Sequence, residues 1–339
     1  MAENGLSQGT SFKDRKGGLV FFGILQILLG VFSILLLGLS ILGVVMTRIS
    51  GTAAGQAMNL KMMFPSFLMY TVGAVVFIWL GIGSITAKRW ARALTLILSM
   101  IWLAIGALTF GFEAYLMPKL LSGMQLEGGR MPESGMAVVT FFILGFMFVL
   151  FVVLPAAFTL FFRSPHVKAT CEQRDPKPRW TDQRPLPVLG LSLMLYAGAA
   201  SMLFMIAYPA LPFLGMLLTG FPLIAYSVTV AAILLYLARS VYNLKTAGWT
   251  GALVLSILGY GAGALTFFKM DMIEYYRALG YSDLAISQMR LAELWEIIGT
   301  RTIVVPMMIF SLAVWIGYLL YVRRFFLADP QEGSGDTMP

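Results

Sequence analysis

Residues 185–238 read PLPVLGLSLMLYAGAASMLFMIAYPALPFLGMLLTGFPLIAYSVTVAAILLYLA, a run of 54 residues that contains no Asp, Glu, Lys or Arg. One α-helix of that length would extend about 80 Å, whereas the hydrocarbon core of a bilayer is about 30 Å thick. The run must therefore fold back on itself. Its middle holds residues that end helices, namely Pro209, Pro212, Gly215, Gly220 and Pro222. We predict two membrane-spanning helices here, over about 187–208 and 221–238.

Six further stretches lack charged residues, and each is long enough to cross a bilayer: 17–47, 62–87, 93–112, 134–162, 246–268 and 302–322. The chain of 339 residues is 59% hydrophobic and 12% charged, with a mean hydropathy of +0.83. Soluble domains carry about 25% charged residues, so this class is excluded. We predict an all-α integral membrane protein with eight transmembrane helices, at about 18–46, 65–87, 91–112, 137–162, 187–208, 221–238, 249–268 and 302–322.

The basic residues between these helices predict the orientation. Of the 24 Lys and Arg residues, 16 fall on the side that carries both termini and the connector between helices 4 and 5, and 8 fall on the other side. Because cytoplasmic loops are enriched in Lys and Arg, we expect both termini in the cytoplasm and the chain in a cytoplasmic (inner) membrane. The first apolar run is too long for a cleavable signal peptide.

Two parts of the chain resemble each other, which predicts an internal repeat. Phe64-Pro65 is followed 42 residues later by Gly106-Ala-Leu-Thr-Phe, and Phe221-Pro222 is followed 42 residues later by Gly263-Ala-Leu-Thr-Phe. Each unit contains four helices, so we expect two parallel four-helix repeats related by rotation about the membrane normal. The predicted segments are a tail (1–17), a first repeat (18–162), a basic connector (163–186), a second repeat (187–322) and a C-terminal tail (323–339).

Several kinds of chemistry are excluded by composition. A single Cys171 and a single His166 exclude an intrachain disulfide and a zinc site made of Cys and His alone. Both residues are expected to be incidental, with Cys171 in a flexible loop. We predict no metal, no cofactor and no catalytic residue. The net charge of +8 suits anionic lipid headgroups better than nucleic acid.

Four polar residues are the weak candidates for a substrate or ion site. Gln26 lies inside helix 1, where an amide marks a substrate site or, more commonly, bonds to a neighbouring helix. Glu113, Asp271 and Glu274 lie at the outer ends of helices 3 and 7. Facing each other across the repeat axis, they would bind a cation or act on a lipid headgroup; otherwise they end a span at the water boundary.

Other residues are predicted to serve packing. The pairs Gly259 and Gly263, and Ala197 and Ser201, have the four-residue spacing that lets helix backbones approach. Pro155 should kink helix 4. The connector carries six basic residues and Trp180, which favours lipid contact or the docking of a partner.

The outer segment 269–301 is expected to be ordered around an amphipathic helix at about 283–298, started by Ser282 or Asp283. Leu291, Leu294 and Trp295 share its apolar face, which would cover the bundle, the headgroup layer or a partner subunit.

The sequence therefore favours a non-enzymatic scaffold or an accessory subunit of a membrane assembly, with lipids and membrane-protein subunits as partners. A permease for a neutral or lipid-like substrate is the alternative, and an interfacial lipid enzyme is a third possibility.

Overall fold

The computed structural model describes residues 13–49, 60–122, 133–288 and 301–327. The predicted Leu291, Leu294 and Trp295 therefore lie outside the described residues. The described part is an all-α protein with one small β-hairpin. Its elements are α1 (Lys16–Ile49), α2 (Leu60–Ile85), α3 (Arg89–Ser122), α4 (Glu133–Phe148), a π-helical turn (Val149–Val153), α5 (Leu154–Arg163), α6 (Pro165–Arg174), a 3₁₀ turn (Trp180–Asp182), α7 (Leu186–Met205), β1 (Ala210–Phe213), β2 (Met216–Thr219), α8 (Gly220–Tyr242), α9 (Thr246–Lys269), α10 (Met272–Ala278), α11 (Asp283–Gln288) and α12 (Arg301–Leu327).

Eight helical stretches in the described residues are long and apolar enough to cross a membrane, which is consistent with the predicted multi-pass class. They are Lys16–Met46, Met63–Ile85, Arg89–Pro118, Ser134–Arg163, Leu186–Met205, Gly220–Tyr242, Thr246–Lys269 and Val304–Leu327. The fourth combines α4, the π-helical turn and α5. The face of the bundle that carries residues 163–186 is called the connector face below, and the other end is called the opposite face.

Helices α1 and α2 pack closely because small residues meet along their whole crossing. A Cβ atom on Gly23 would lie 2.8 Å from the carbonyl oxygen of Gly81, and one on Gly30 would lie 3.0 Å from that of Ala74. Gly23 and Gly30 are seven residues apart, as are Ala74 and Gly81, so the same side of each helix meets its partner every two turns.

The fourth span is irregular one turn before its proline. Pro155 has no N–H group, so the carbonyl of Phe151 loses its normal helical donor. The chain forms a π-helical turn here, in which the N–H of Leu154 donates to the carbonyl of Val149. A Cβ atom on Gly106 of α3 would meet the Phe151 oxygen, so a glycine is needed there. The sequence anticipated a distortion at Pro155 but not its π-helical form.

The second half has a core at its connector end. Val188, Leu191, Val241, Leu319 and Val322 are fully buried there and join α7, α8 and α12. Two indole N–H groups tie α9 to α12: Trp249 donates to the carbonyl of Leu319 at 2.8 Å, and Trp315 donates to the hydroxyl of Ser256 at 2.8 Å.

Between α7 and α8 the predicted break contains a β-hairpin. Ala210 pairs with Thr219 and Phe213 pairs with Met216, and the two turn residues Leu214 and Gly215 both have positive φ. The N–H of Leu214 donates to Thr266 of α9 at 2.7 Å. The proline and glycine cluster predicted the reversal, but Leu at a positive-φ position gave no sign of a two-residue hairpin turn.

One turn geometry occurs in both halves. Ala87 and Leu244 have φ values of 52° and 57°, at the ends of α2 and α8. The following residue donates back to the helix in each case, Lys88 to Gly83 at 2.9 Å and Lys245 to Ser240 at 3.0 Å. Ala87 and Leu244 are 157 residues apart, the same separation as Phe64 and Phe221.

Candidate functional site

Gln26 is buried and bonds to two other helices. Its amide nitrogen donates to Thr95 of α3 at 2.9 Å, and its amide oxygen accepts from Ser84 of α2 at 2.9 Å. All three residues are at most 3% exposed. Both ends of the amide are thus used in holding α1, α2 and α3 together, which is the commoner of the two roles considered for it.

The space beside this amide is small. A void of about 10 Å³ lies between Gln26, Thr95, Ser99, Phe77 and Trp102. A cavity needs roughly 10–15 Å³ to hold one water molecule, so nothing larger fits. Thr159 of α5 donates to Ser99 at 3.0 Å, which extends the polar contacts to the fourth span. The Gln26 cluster is therefore a helix-joining network.

The three candidate carboxylates have separate surroundings. Asp271 caps α10: its Oδ1 accepts from the N–H groups of Ile273 at 2.8 Å and Glu274 at 3.4 Å. Glu274 is exposed in the first turn of the same helix. Glu113 lies within the third span, and its Oε2 is buried with no hydrogen-bond partner among the described residues. No hydrogen bond or ion pair recorded within the described residues joins Glu113 to the other two.

The predicted packing pairs face outward. Ala197, Ser201, Gly259 and Gly263 are all exposed, and a Cβ atom on either glycine would meet nothing within 4 Å. Ala199, two residues from Ala197, is buried in their place. Among the described residues, close backbone approaches at glycine lie elsewhere, for example in the α1–α2 crossing and where Gly248 of α9 meets Ser240 of α8.

The beginning of the predicted outer helix is described. Gly280 has a φ of 96°, α11 begins at Asp283, and the N–H of Ile286 donates to the carbonyl of Ser282 at 2.9 Å. Its continuation through Leu291, Leu294 and Trp295 falls outside the described residues.

The connector is ordered, which differs from the flexible loop expected around Cys171. Helix α6 buries Val167, Thr170 and Cys171. Val167 and Cys171 pack with Leu19, Phe158 and Phe162 in one apolar cluster, while the backbone N–H of Arg15 donates to Thr170 at 3.0 Å. Burial raises the pKa of the Cys171 thiol to about 11. The connector thus contributes to the core of the first half.

Ion pairs fix the connector to the α2–α3 turn. Arg89 at the start of α3 lies 3.0 Å from Asp182 and 3.5 Å from Glu172, with only 17% of its side chain exposed. Asp175 is 4% exposed and accepts two hydrogen bonds from Arg179, from Nη2 at 2.8 Å and from Nε at 3.1 Å. These hydrogen bonds hold the pKa of Asp175 below its usual value.

The 3₁₀ turn reaches both halves of the chain at once. Asp182 pairs with Arg89 of the first half, as described above. On the other side, the hydroxyl of Tyr242 donates to Gln183 at 3.1 Å, and Arg184 donates to the carbonyl of Tyr242 at 2.6 Å. Residues 180–184, called the clasp below, therefore join the α2–α3 turn to the end of α8.

Sequence reasoning found the connector but not the clasp. The available signal was the placement of Glu172, Asp175 and Asp182 among the connector's basic residues, opposite Arg89 in a turn about 90 residues earlier. In the described part of the chain, no three His, Cys, Asp or Glu side chains are grouped as a metal site would require.

Comparison of this chain with known protein families, with curated proteins and with solved structures finds no match.

Proposed function

We propose that this chain is a non-enzymatic component of a membrane assembly, a scaffold or accessory subunit that offers its connector face to a partner. The observation that carries the proposal is the clasp with its folded connector. A connector that only linked two halves would need no buried helix, no ion pair to the α2–α3 turn and no hydrogen bonds to the end of α8, whereas a docking surface gains affinity from being preorganised. Trp180 stands on this surface with 44% exposure, and aromatic side chains of this kind anchor interfaces.

The proposal includes the arrangement in the membrane. The chain would lie in a cytoplasmic membrane as two parallel four-helix repeats with the connector face inside. The matching turns at Ala87 and Leu244 support the repeat. A close contact found in both halves also supports it. Gly83 meets Ala91 in the first half, and Ser240 meets Gly248 in the second. Ser240 is 157 residues after Gly83, and Gly248 is 157 residues after Ala91.

The test is purification in a mild detergent, followed by mass spectrometry of stoichiometric partners. Trp180→Ala removes the exposed indole and leaves the backbone carbonyl that accepts from Tyr242. We expect a partner that is retained by the wild type and lost from this variant. Phe142→Ala is the matched control, because Phe142 is an aromatic residue of α4 with 70% exposure on a candidate membrane span. Equal retention by both variants, or no stoichiometric partner, contradicts the proposal.

The outer apolar face is tested separately. Replacing Leu291, Leu294 and Trp295 together by Ser should release a partner if that face docks a subunit. Unchanged partners with lowered thermal stability would assign the segment to covering the bundle itself.

A permease for a neutral or lipid-like substrate is the second candidate, and one observation favours it. An open cleft of about 480 Å³ lies between the outer ends of α3 and α4, lined by Pro118, Met136, Ala137, Thr140 and Phe141. Glu113, with its unpartnered oxygen, is five residues before Pro118 on α3. Transport of a fluorescent lipid in proteoliposomes that is lost on Glu113→Gln would favour this function over the scaffold.

A further inference from the structure

The charges of the connector face are divided unequally between the two halves. All four carboxylates described there, Asp14, Glu172, Asp175 and Asp182, form ion pairs with cations of the connector or of the first half. Among the described residues the second half has none on this face, because the sequence contains no Asp or Glu between 183 and 270 or between 297 and 328. Its cations on this face make no ion pair within the described residues.

Three of these cations stand at the ends of three neighbouring helices. Arg239 is in the last turn of α8, Lys245 caps the start of α9, and Arg323 is near the end of α12; all three are exposed. The helix ends are held together locally. Lys245 donates its N–H to Ser240, Trp249 bonds to Leu319, and the Arg323 guanidinium lies 5.4 Å from the centre of the Trp249 ring. The ends of α8, α9 and α12, which carry the three cations, therefore meet at one corner of the bundle.

Exposed apolar side chains lie one turn deeper on the same faces. Tyr236, three residues before Arg239, is 65% exposed, and Leu320, three residues before Arg323, is 53% exposed. Residues three apart share a helix face. Each arginine thus stands above an apolar side chain, which is the arrangement that an amphiphile with an anionic head and an acyl chain would contact.

We infer that Arg239, Lys245 and Arg323 form a binding site for an anionic phospholipid, whose phosphate lies among the three cations while its acyl chains run along Tyr236 and Leu320. The connector, although it carries six basic residues, is not this site, because carboxylates lie among its cations: Arg174 pairs with Asp14, and Arg179 pairs with Asp175. The inference rests on the chain spanning a membrane and is independent of whether it is a scaffold or a permease.

The test is native mass spectrometry of the whole chain released from nanodiscs of equimolar phosphatidylglycerol and phosphatidylcholine. The wild type should retain phosphatidylglycerol in preference. The variant Arg239→Gln, Lys245→Gln, Arg323→Gln should lose that preference at least tenfold, since each cation near a headgroup contributes about fivefold. Arg323→Lys should retain most of it.

The matched control is Lys168→Gln, Arg174→Gln, Lys177→Gln, which removes the same charge from the connector. It should leave the preference unchanged. Equal loss in both triple variants would mean that only net charge matters, and equal retention in both would mean that the corner binds no anionic lipid; either result overturns the inference.

Inorganic phosphate in millimolar excess should not displace the lipid, because it lacks the acyl chains. If inorganic phosphate did displace the lipid, the corner would be a site for small anions, and the inferred phospholipid site would be wrong. Thermal unfolding of each variant confirms that it is folded.

Discussion

At the scale of single residues, Gln26 shows what a lone amide in a membrane helix does. Replacing it by Leu would leave the buried hydroxyls of Ser84 and Thr95 without their amide partner. We expect Gln26→Leu to lower the free energy of unfolding by about 1–3 kcal/mol, the cost of unsatisfied buried polar groups. Thermal unfolding in detergent measures the change.

Ser40→Ala provides the comparison for Gln26→Leu. The Ser40 hydroxyl bonds only to the carbonyl of Leu36 in its own helix at 2.8 Å, so its removal should change stability little. If Gln26→Leu is as mild as Ser40→Ala, the amide does not join the helices.

Cys171 gives a second prediction at this scale. With a pKa of about 11, only about one thiol in a thousand is ionised at pH 8. We expect a thiol reagent to label the native protein slowly and the unfolded protein fast, with Cys171→Ser unlabelled under both conditions. Because the pKa of the Cys171 thiol is higher in the folded than in the unfolded chain, burial of the neutral thiol stabilises the fold fully below about pH 9. This stabilisation is lost as the pH rises towards 11. Fast labelling of the native protein at pH 8 would show that α6 does not bury this residue.

At the scale of elements, the closeness of α1 and α2 depends on glycine. A Cβ atom on Gly81 would lie 2.7 Å from the carbonyl oxygen of Gly23, so Gly81→Ala must push the two helices apart. We expect a loss of about 1–3 kcal/mol in unfolding free energy, as for other overpacked positions.

Gly38→Ala is the control for Gly81→Ala, because a Cβ atom there meets nothing within 4 Å. Alanine also favours a helix over glycine by about 0.8–1.0 kcal/mol, so Gly38→Ala should be neutral or stabilising. A tolerated Gly81→Ala would contradict the observed crossing.

The sequence predicts elements better than it predicts their partners. Charge-free runs marked all eight spans, because a bilayer demands about 20 apolar residues whatever the neighbours are. The seven-residue spacing of Gly23 and Gly30 was available as a packing signal, but Gly259 and Gly263 have an equally good spacing and are exposed. Spacing alone does not say which small residues meet another helix.

The clasp was harder to foresee for the same reason. Arg89 and Asp182 carry ordinary charges, and only the folded chain brings them within 3.0 Å across about 90 residues. Charge counts along the sequence therefore described the connector as basic, although much of its charge is paired.

At the scale of the whole molecule, the proposed repeat would give the two halves one plan with differences in detail. The turns at Ala87 and Leu244 have matching geometry. The clasp bonds next to each of them, because Asp182 pairs with Arg89 and Gln183 accepts a hydrogen bond from Tyr242. Gly106 meets the π-helical turn of its own half, whereas a Cβ atom on Gly263, at the corresponding position, would meet nothing. The proposed duplication, if followed by divergence, would account for both facts.

The orientation in the membrane is the last prediction, and the buried thiol determines its design. Because Cys171 is buried and cannot report which side it faces, it is replaced as Cys171→Ala and single cysteines are placed at exposed positions. Lys177→Cys lies on the connector face and Glu274→Cys on the opposite face. With Lys and Arg enriched on the cytoplasmic side, a membrane-impermeant maleimide should label Glu274→Cys in intact cells and label Lys177→Cys only after the cells are permeabilised. The reverse pattern would place the connector and both termini outside, so that the 16 basic residues of the connector side face away from the cytoplasm.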